Sequence, residues 1–216
     1  GQTLANITYT YAGVSDTPLS EEGIRLLAAQ RGSGGYPDIT GLDVYTSGLS
    51  RTEQTLRLLY GDIPHKVDTD FIEMNFGIFE GKSYDDLKDT GEYQFWVNSD
   101  HMTTRCPGGE SGVKTMQRAL KALERLISKG RDALIISHGG VIGSLFMHFF
   151  PGSGLNFYQI QPKNGEGYCF EFEAGEITRC EGVPSGKLFY DSALPELSFM
   201  RQIPDNAPAV SIDLGK

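Results

Sequence analysis

The sequence predicts an α/β fold: three αβα layers around a mostly parallel central sheet, with an inserted lid-like segment. Three observations carry that expectation. Leu42 to Thr46 and Ala133 to Ile136 are short apolar runs, and each delivers a polar turn followed by an amphipathic run at helical spacing. A strand that leads into a helix, repeated, is the pattern of parallel strands buried beneath helices. Residues 80–109 then interrupt this rhythm with aromatic and polar text too long for a simple connection.

Taken in order, Gly1 to Gly13 is polar, lacks periodicity and reads as loop. Ser20 before Glu21 and Glu22 is a helix N-cap with acids in the first turn, and Ile24, Leu27 and Ala28 form a face that ends near Gly32. Four glycines and a proline between Gly32 and Gly41 make a turn region. After the strand at 42–46, a helix runs from Ser50 to Tyr60. Val67 sits in a short strand, and Phe71 to Phe79 is apolar without a clear period. In 80–109, Tyr84, Tyr93, Phe95, Trp96 and Met102 are expected to cover a pocket mouth. A helix from Ser111 to Lys129 has Met116, Ala119, Leu120, Leu123 and Ile127 on one face. The apolar run at 133–136 is expected to be buried on both faces, and Val141, Ile142, Leu145, Phe146 and Phe149 continue as a helix. Residues 151–165 read as loop. Strands at 167–172 and 177–181 flank Ala174-Gly175-Glu176 as an antiparallel hairpin at a sheet edge. The tail, 184–216, holds four prolines and shows weak periodicity. With no internal repeat, 1–216 reads as one domain.

Composition limits the function. In 216 residues, 19 basic and 28 acidic side chains give a formal net charge of −9, which argues against nucleic acid or an anionic membrane as partner. A small anionic ligand remains open, because local charge decides that. Cys106, Cys169 and Cys180 lack metal-ligand spacing and are odd in number, so neither a metal site nor a disulfide framework is implied. No apolar run approaches a membrane span and no signal peptide is visible, so the expected setting is cytoplasmic.

The chemistry-bearing residues are few. His138 follows the strand 133–136 and precedes Gly139-Gly140, at the carboxyl end of a central strand, where open α/β sheets bind ligands. The helix start beyond it offers free N–H groups to an anion. Arg51 occupies the same position after the strand 42–46, and an arginine there holds phosphate through charge-assisted bonds. Glu73, among Ile72, Met74 and Phe76, is a carboxyl whose pKa burial would raise, suiting it to proton transfer. Each has a bland alternative: a satisfied core histidine, a solvated helix arginine, a surface carboxylate. Asn6 could present an amide to an anion.

Six stretches together resemble one family, the phosphoglycerate-mutase-like branch of the histidine phosphatase superfamily. Gly1-Gln2-Thr3-Leu4-Ala5-Asn6 resembles the end of its Arg-His-Gly-x-Thr-x-x-Asn signature, and Asp16-Thr17-Pro18-Leu19-Ser20-Glu21-Glu22-Gly23 its next block. Ser47-Gly48-Leu49-Ser50-Arg51-Thr52-Glu53-Gln54-Thr55 resembles its Ser-x-Leu-x-Arg-x-x-Gln-Thr block. Glu73 to Gly81 resembles Glu-x-x-x-Gly-x-x-Glu-Gly, while Gly108-Gly109-Glu110-Ser111 and Ser137-His138-Gly139-Gly140 complete the set in family order. The resemblance spans 1–181. It implies a phosphatase of small phosphorylated metabolites in which a histidine of the first block carries the phosphoryl group. Arg51, His138 and the Gly139 N–H would hold the phosphoryl oxygens, and Glu73 would protonate the leaving oxygen and then activate water. Asn6 and Gly13 match positions near the bound phosphate. No metal and no cofactor is implied, and the partner is a small-molecule phosphate ester.

The departures matter as much. The sequence starts at the glycine after the expected Arg-His, so a hydrophobic strand ending in Arg-His is expected directly before Gly1, with that histidine close to Arg51 and His138. Leu26 stands where the family often has glutamine, and Gly143 where arginine often follows the His-Gly-Gly turn. Mutases of the family have Glu-Arg-x-Tyr-Gly where this chain has Glu73-Met74-Asn75-Phe76-Gly77, and Met74 and Phe76 remove those polar substrate contacts. A cofactor-dependent phosphoglycerate mutase is therefore the second enzymatic reading. A chain without the nucleophile would be a non-catalytic binder of phosphate ligands.

Overall fold

In the computed structural model, which describes residues 1–194, the elements follow in the order α1 (Leu4–Ile7), α2 (Glu21–Ser33), β1 (Asp43–Thr46), α3 (Ser50–Tyr60) and β2 (Lys66–Val67). Two short 3-10 turns, Thr69–Phe71 and Gly77–Phe79, precede α4 (Tyr84–Leu87), α5 (Gly91–Val97) and α6 (Gly112–Ile127). Then come β3 (Ala133–Ile136), α7 (Gly139–Phe149), α8 (Phe157–Ile160), β4 (Gly167–Glu173), β5 (Glu176–Val183) and β6 (Leu188–Asp191). The tail expected at 184–216 therefore begins with β6, and its residues 195–216 lie outside the described residues.

Helix ends follow the local chemistry. The Ser20 hydroxyl accepts from the Gly23 N–H to start α2, and Gly34 at φ 82° ends it. Leu49 cannot cap α3, so the cap comes from elsewhere: Asp16 accepts from the Ser50 N–H and hydroxyl, both at 2.7 Å. One expectation changes at the N-terminus. The stretch read as loop contains α1, because Thr3 and Asn6 form a capping box that supplies one short turn with its missing partners.

Among the described residues the parallel sheet is as expected, while the hairpin expected at a sheet edge belongs to a second three-stranded sheet. The first is parallel in the order β2-β1-β3, and the second is antiparallel in the order β4-β5-β6. Alternation along β1 and β3 points Tyr45, Ala133 and Ile135 into a core with Ala119, Ala122 and Leu126 of α6 and Val141 and Leu145 of α7. The opposite face takes α3, whose Glu53 carboxylate accepts from the Thr46 hydroxyl. Helices thus cover both faces, which makes three layers. The second face of α7 packs Phe146 and Phe150 on Cys180, Tyr168, Phe170 and Phe189 of the antiparallel sheet. Each side chain as buried as Phe146 contributes about 1.5–3 kcal/mol.

Residues Ala133–Ile136 were expected to be buried on both faces, yet each is half-buried. Among the described residues β1 is the hydrogen-bonded neighbour of β3, and α6 and α7 pack on the face that carries Ala133 and Ile135. The segment 80–109 also differs from expectation. Tyr93 and Trp96, one turn apart on α5, are 1% and 4% exposed and pack with Phe79, Leu87 and Cys106. They are core rather than mouth, while Phe95 is 71% exposed on the other side of the helix. This satellite core reaches the Glu73 segment through Tyr11, Met74 and Phe76.

Candidate active site

Register decides which side chains meet. Thr46 pairs with Ile136, so Ser47 and Ser137 leave the parallel sheet at one edge, with Arg51 and His138 directly behind them. His138 is the N-cap of α7 and is 7% exposed. Its Nδ1 lies 3.2 Å from Arg51 Nε and its Nε2 lies 2.8 Å from Ser47 Oγ. A guanidinium only donates, so Nδ1 must accept; the proton then sits on Nε2 and is given to Ser47. Burial, with Arg51 and Arg118 nearby, drives the His138 pKa well below its ordinary value, so the ring is neutral. Ser47 holds a site position that the sequence marked only as part of a motif.

The other nitrogens of Arg51 donate to Gly13 O at 2.6 Å and Ser15 O at 2.9 Å. That loop is fixed from behind by Glu80, whose carboxylate accepts from the N–H groups of Gly13, Val14 and Ser15 and from the Ser15 hydroxyl. Gly13 has no room for a side chain: a Cβ would lie 1.8 Å from Met74 O. The expected phosphate-side residue Gly13 is thus tied to Arg51 through its carbonyl. Asn6 is exposed, and its Oδ1 is occupied by the Thr3 N–H and hydroxyl. Among the described residues Asn6 shares no hydrogen bond with Arg51, Glu73 or His138.

Glu73 comes from the segment between the two 3-10 turns and meets the start of α7. Its Oε2 accepts from Gly140 N and its Oε1 from Met74 N, each at 2.9 Å. Gly140 is required here, since a Cβ would stand 2.3 Å from Oε1. Burial raises the Glu73 pKa, opposed by those two N–H groups and then by Arg51 and Arg118. The carboxyl therefore holds its proton more tightly than an ordinary glutamate. At Gly139 a Cβ would meet Gln161 Nε2 at 2.8 Å, so the residue after α8 lies over the helix start.

Gly1 N donates to Thr55 Oγ1, one turn after Arg51 on α3, at 3.0 Å. His138, Arg51, Glu73, Gly13 and Gly139 are thus drawn together: His138 caps α7, Arg51 donates to His138 and to Gly13 O, and Glu73 accepts from Gly140 N beside Gly139. The arrangement supplies cationic and N–H donors for an anion and one protonatable carboxyl next to them. Among the described residues no group of three or more His, Cys, Asp or Glu side chains is placed to hold a metal ion.

A model of the histidine phosphatase superfamily (branch 1) matches residues 1–181. The chain belongs to that superfamily. Over 155 residues it is 34% identical to a probable phosphoglycerate mutase of Yersinia pestis (strain Pestoides F), a match covering 67% of this chain and 69% of that one. In fold it is similar to a putative α-ribazole-5′-P phosphatase of Escherichia coli, with a TM-score of 0.71 and 25% identity over 82% of this chain and 89% of that one. The α-ribazole phosphatase of Shigella flexneri is similar at a TM-score of 0.70 and 26% identity, with the same coverage.

Three residues of this candidate site escaped the reading of the sequence. Ser47 and Glu80 stood inside quoted motifs, and the signal that could have raised them was the shortage of other polar partners for a buried histidine and a Gly-Val-Ser loop. Gln161 left no signal, because a glutamine after a loop has no pattern to betray it.

Proposed function

We propose that this chain is a phosphoric monoester hydrolase acting on small phosphorylated metabolites through a phosphohistidine intermediate. One observation carries the reading: a carboxyl with raised proton affinity, Glu73, stands at the same helix start as the Arg51–His138 pair. A binder of phosphate has no use for a proton donor there. The nucleophile is the histidine that the family signature puts directly before Gly1, and the bond from Gly1 N to Thr55, one turn after Arg51, supports it.

An imidazole nitrogen attacks phosphorus, the bond from phosphorus to the leaving oxygen breaks, and the Glu73 proton moves to that oxygen. Arg51, the His138 Nε2–H and the Gly139 N–H hold the equatorial oxygens as charge spreads over them. For that, a phosphoryl oxygen takes the place of Ser47 Oγ as acceptor from the His138 Nε2–H. Glu73, now a carboxylate, takes a proton from water as the water oxygen attacks phosphorus, and the phosphorus–nitrogen bond breaks.

A phosphoglycerate mutase is the second reading, favoured by the named Yersinia relative. Met74 and Phe76 weigh against it, since neither offers a charge to a substrate carboxylate, and the α-ribazole phosphatases similar in fold weigh on the same side. The test is phosphate release from a panel of phosphate esters, run beside interconversion of phosphoglycerates, on the intact protein. Phosphate release, with an acid-labile phosphate trapped on the residue bonded to Gly1, is the expected result. Phosphoglycerate interconversion without hydrolysis would overturn it.

A further inference from the structure

The segment that carries Glu73 has little secondary structure of its own. It lies between two 3-10 turns, and its carbonyls look to α6 for partners. Arg118, on α6, supplies them: Nη1 donates to Asp70 O at 2.8 Å and Ile72 O at 2.6 Å, and Nη2 donates to Glu73 O at 2.9 Å. The guanidinium is itself oriented by Glu110, whose Oε1 accepts from Nε at 3.2 Å and whose Oε2 accepts from Nη2 at 3.0 Å. Glu110 continues the grip along the chain, because its Oε2 also accepts from Asn75 N at 3.1 Å and its own N–H donates to Asn75 O at 2.8 Å. Thr115, on the same helix, adds its hydroxyl to that oxygen at 3.3 Å. Both side chains are largely enclosed, 17% exposed for Arg118 and 11% for Glu110.

We infer that the Arg118–Glu110 pair is a positioning device for Glu73: it fixes the backbone of the acid from α6 while the start of α7 receives its carboxyl. The inference rests on the phosphatase reading above and adds a part that the reading does not contain. The geometry favours it over a general brace. Arg118 binds the carbonyl of Glu73 itself, and α6 packs on α7 through Ala119, Ala122, Val141 and Leu145. The two helices therefore hold one carboxyl from both ends as a single unit. Proton transfer tolerates little displacement; an error of about 1 Å costs on the order of 100-fold in rate. A lysine could neutralise Glu110, but it cannot span three carbonyls and both carboxylate oxygens.

The test uses the dependence on the leaving group. An alkyl phosphate such as glycerol phosphate needs its leaving oxygen protonated, whereas p-nitrophenyl phosphate does not. Arg118→Lys should lower kcat/KM, which ends at departure of the leaving group and so leaves out the water step that both esters share, by roughly 10- to 100-fold on the alkyl ester and by less than about 3-fold on p-nitrophenyl phosphate. In a Glu73→Gln background the same substitution should cost nothing further on the alkyl ester, because residues that act as one unit are not additive. If Arg118→Lys does not fold, Glu110→Gln is read by the same ratio. An equal fall on both esters in an otherwise active enzyme overturns the positioning role and leaves the phosphatase standing. Wild-type protein that releases phosphate from neither ester overturns the phosphatase and this inference together.

Discussion

Glu73 and Glu80 stand seven residues apart in one segment, and both look to the same loop-rich side of the molecule, yet they do opposite work. Glu80 accepts from five donors: the N–H groups of Gly13, Val14, Ser15 and Phe76, and the Ser15 hydroxyl. Glu73 accepts from two, Met74 N and Gly140 N. A carboxylate surrounded by N–H groups serves as an anchor, here for the loop whose carbonyls hold Arg51. One with few donors and little water holds its proton and serves as an acid. The number of donors aimed at each carboxyl, rather than its neighbours in sequence, separates the two roles.

The sharpest way to break this contrast is to neutralise each carboxyl in turn. Glu73→Gln should cut kcat on alkyl phosphates by about 10²–10⁴-fold with a much smaller change in KM, since the phosphate contacts stay. The wild-type rate should fall as pH rises through the raised Glu73 pKa, because the acid form does the work, and that alkaline limb should vanish in the variant. Near wild-type turnover of Glu73→Gln on an alkyl ester would remove Glu73 from the role of acid.

Arg51→Ala probes the other half of the site and should hurt binding and turnover together, by on the order of 100-fold or more in kcat/KM. Unlike Glu73→Gln, it should act equally on alkyl and p-nitrophenyl esters. A leaving-group-dependent loss would mean that Arg51 acts through Glu73 instead of on the phosphoryl oxygens.

Glu80→Gln should be milder in rate and heavier in stability. The amide puts N–H donors against the Gly13 and Val14 N–H groups, leaving donors unmet at a cost of about 1–3 kcal/mol. For a chain of this size each kcal/mol lowers the thermal midpoint by roughly 2–4 °C. The leaving-group ratio should not move. Calorimetry beside a two-ester assay checks both halves, and a midpoint equal to wild type would show that Glu80 anchors nothing.

The same contrast explains what the sequence could and could not reveal. Alternating strand and helix text placed Arg51 and His138 correctly, since each follows a strand and the parallel register does the rest. The span of α3, Ser50–Tyr60, was legible from its pattern and the glycine that ends it. Illegible were the contacts that come from far along the chain: Asp16 capping α3, Glu80 holding 13–15, Arg118 holding 70–73. None has a local period. Trp96 and Tyr93 misled for a related reason, because aromatic residues in an inserted segment read alike whether they face a ligand or their own small core.

The smallest effect expected concerns stability against pH, and here His138 and Glu73 pull in opposite directions. The His138 pKa is lowered well below 6.5 in the fold. Between the folded value and 6.5 the unfolded chain binds the proton and the folded one does not, so stability rises with pH and levels off once 6.5 is passed. Glu73 is raised above 4.5, so between 4.5 and its folded value the folded chain holds more proton and stability falls as pH rises. Subtracting the profile of a His138→Asn variant cancels every group they share. Asparagine keeps an acceptor for Arg51 Nε and removes the titration. Wild type should gain thermal midpoint between pH 5 and 7, and the variant should gain less over the same range. Glu73→Gln should do the reverse and steepen the rise, because the opposing group is gone. Identical slopes in wild type and His138→Asn would mean that the imidazole titrates alike in the folded and unfolded chain, and the neutral ring described above would then be wrong.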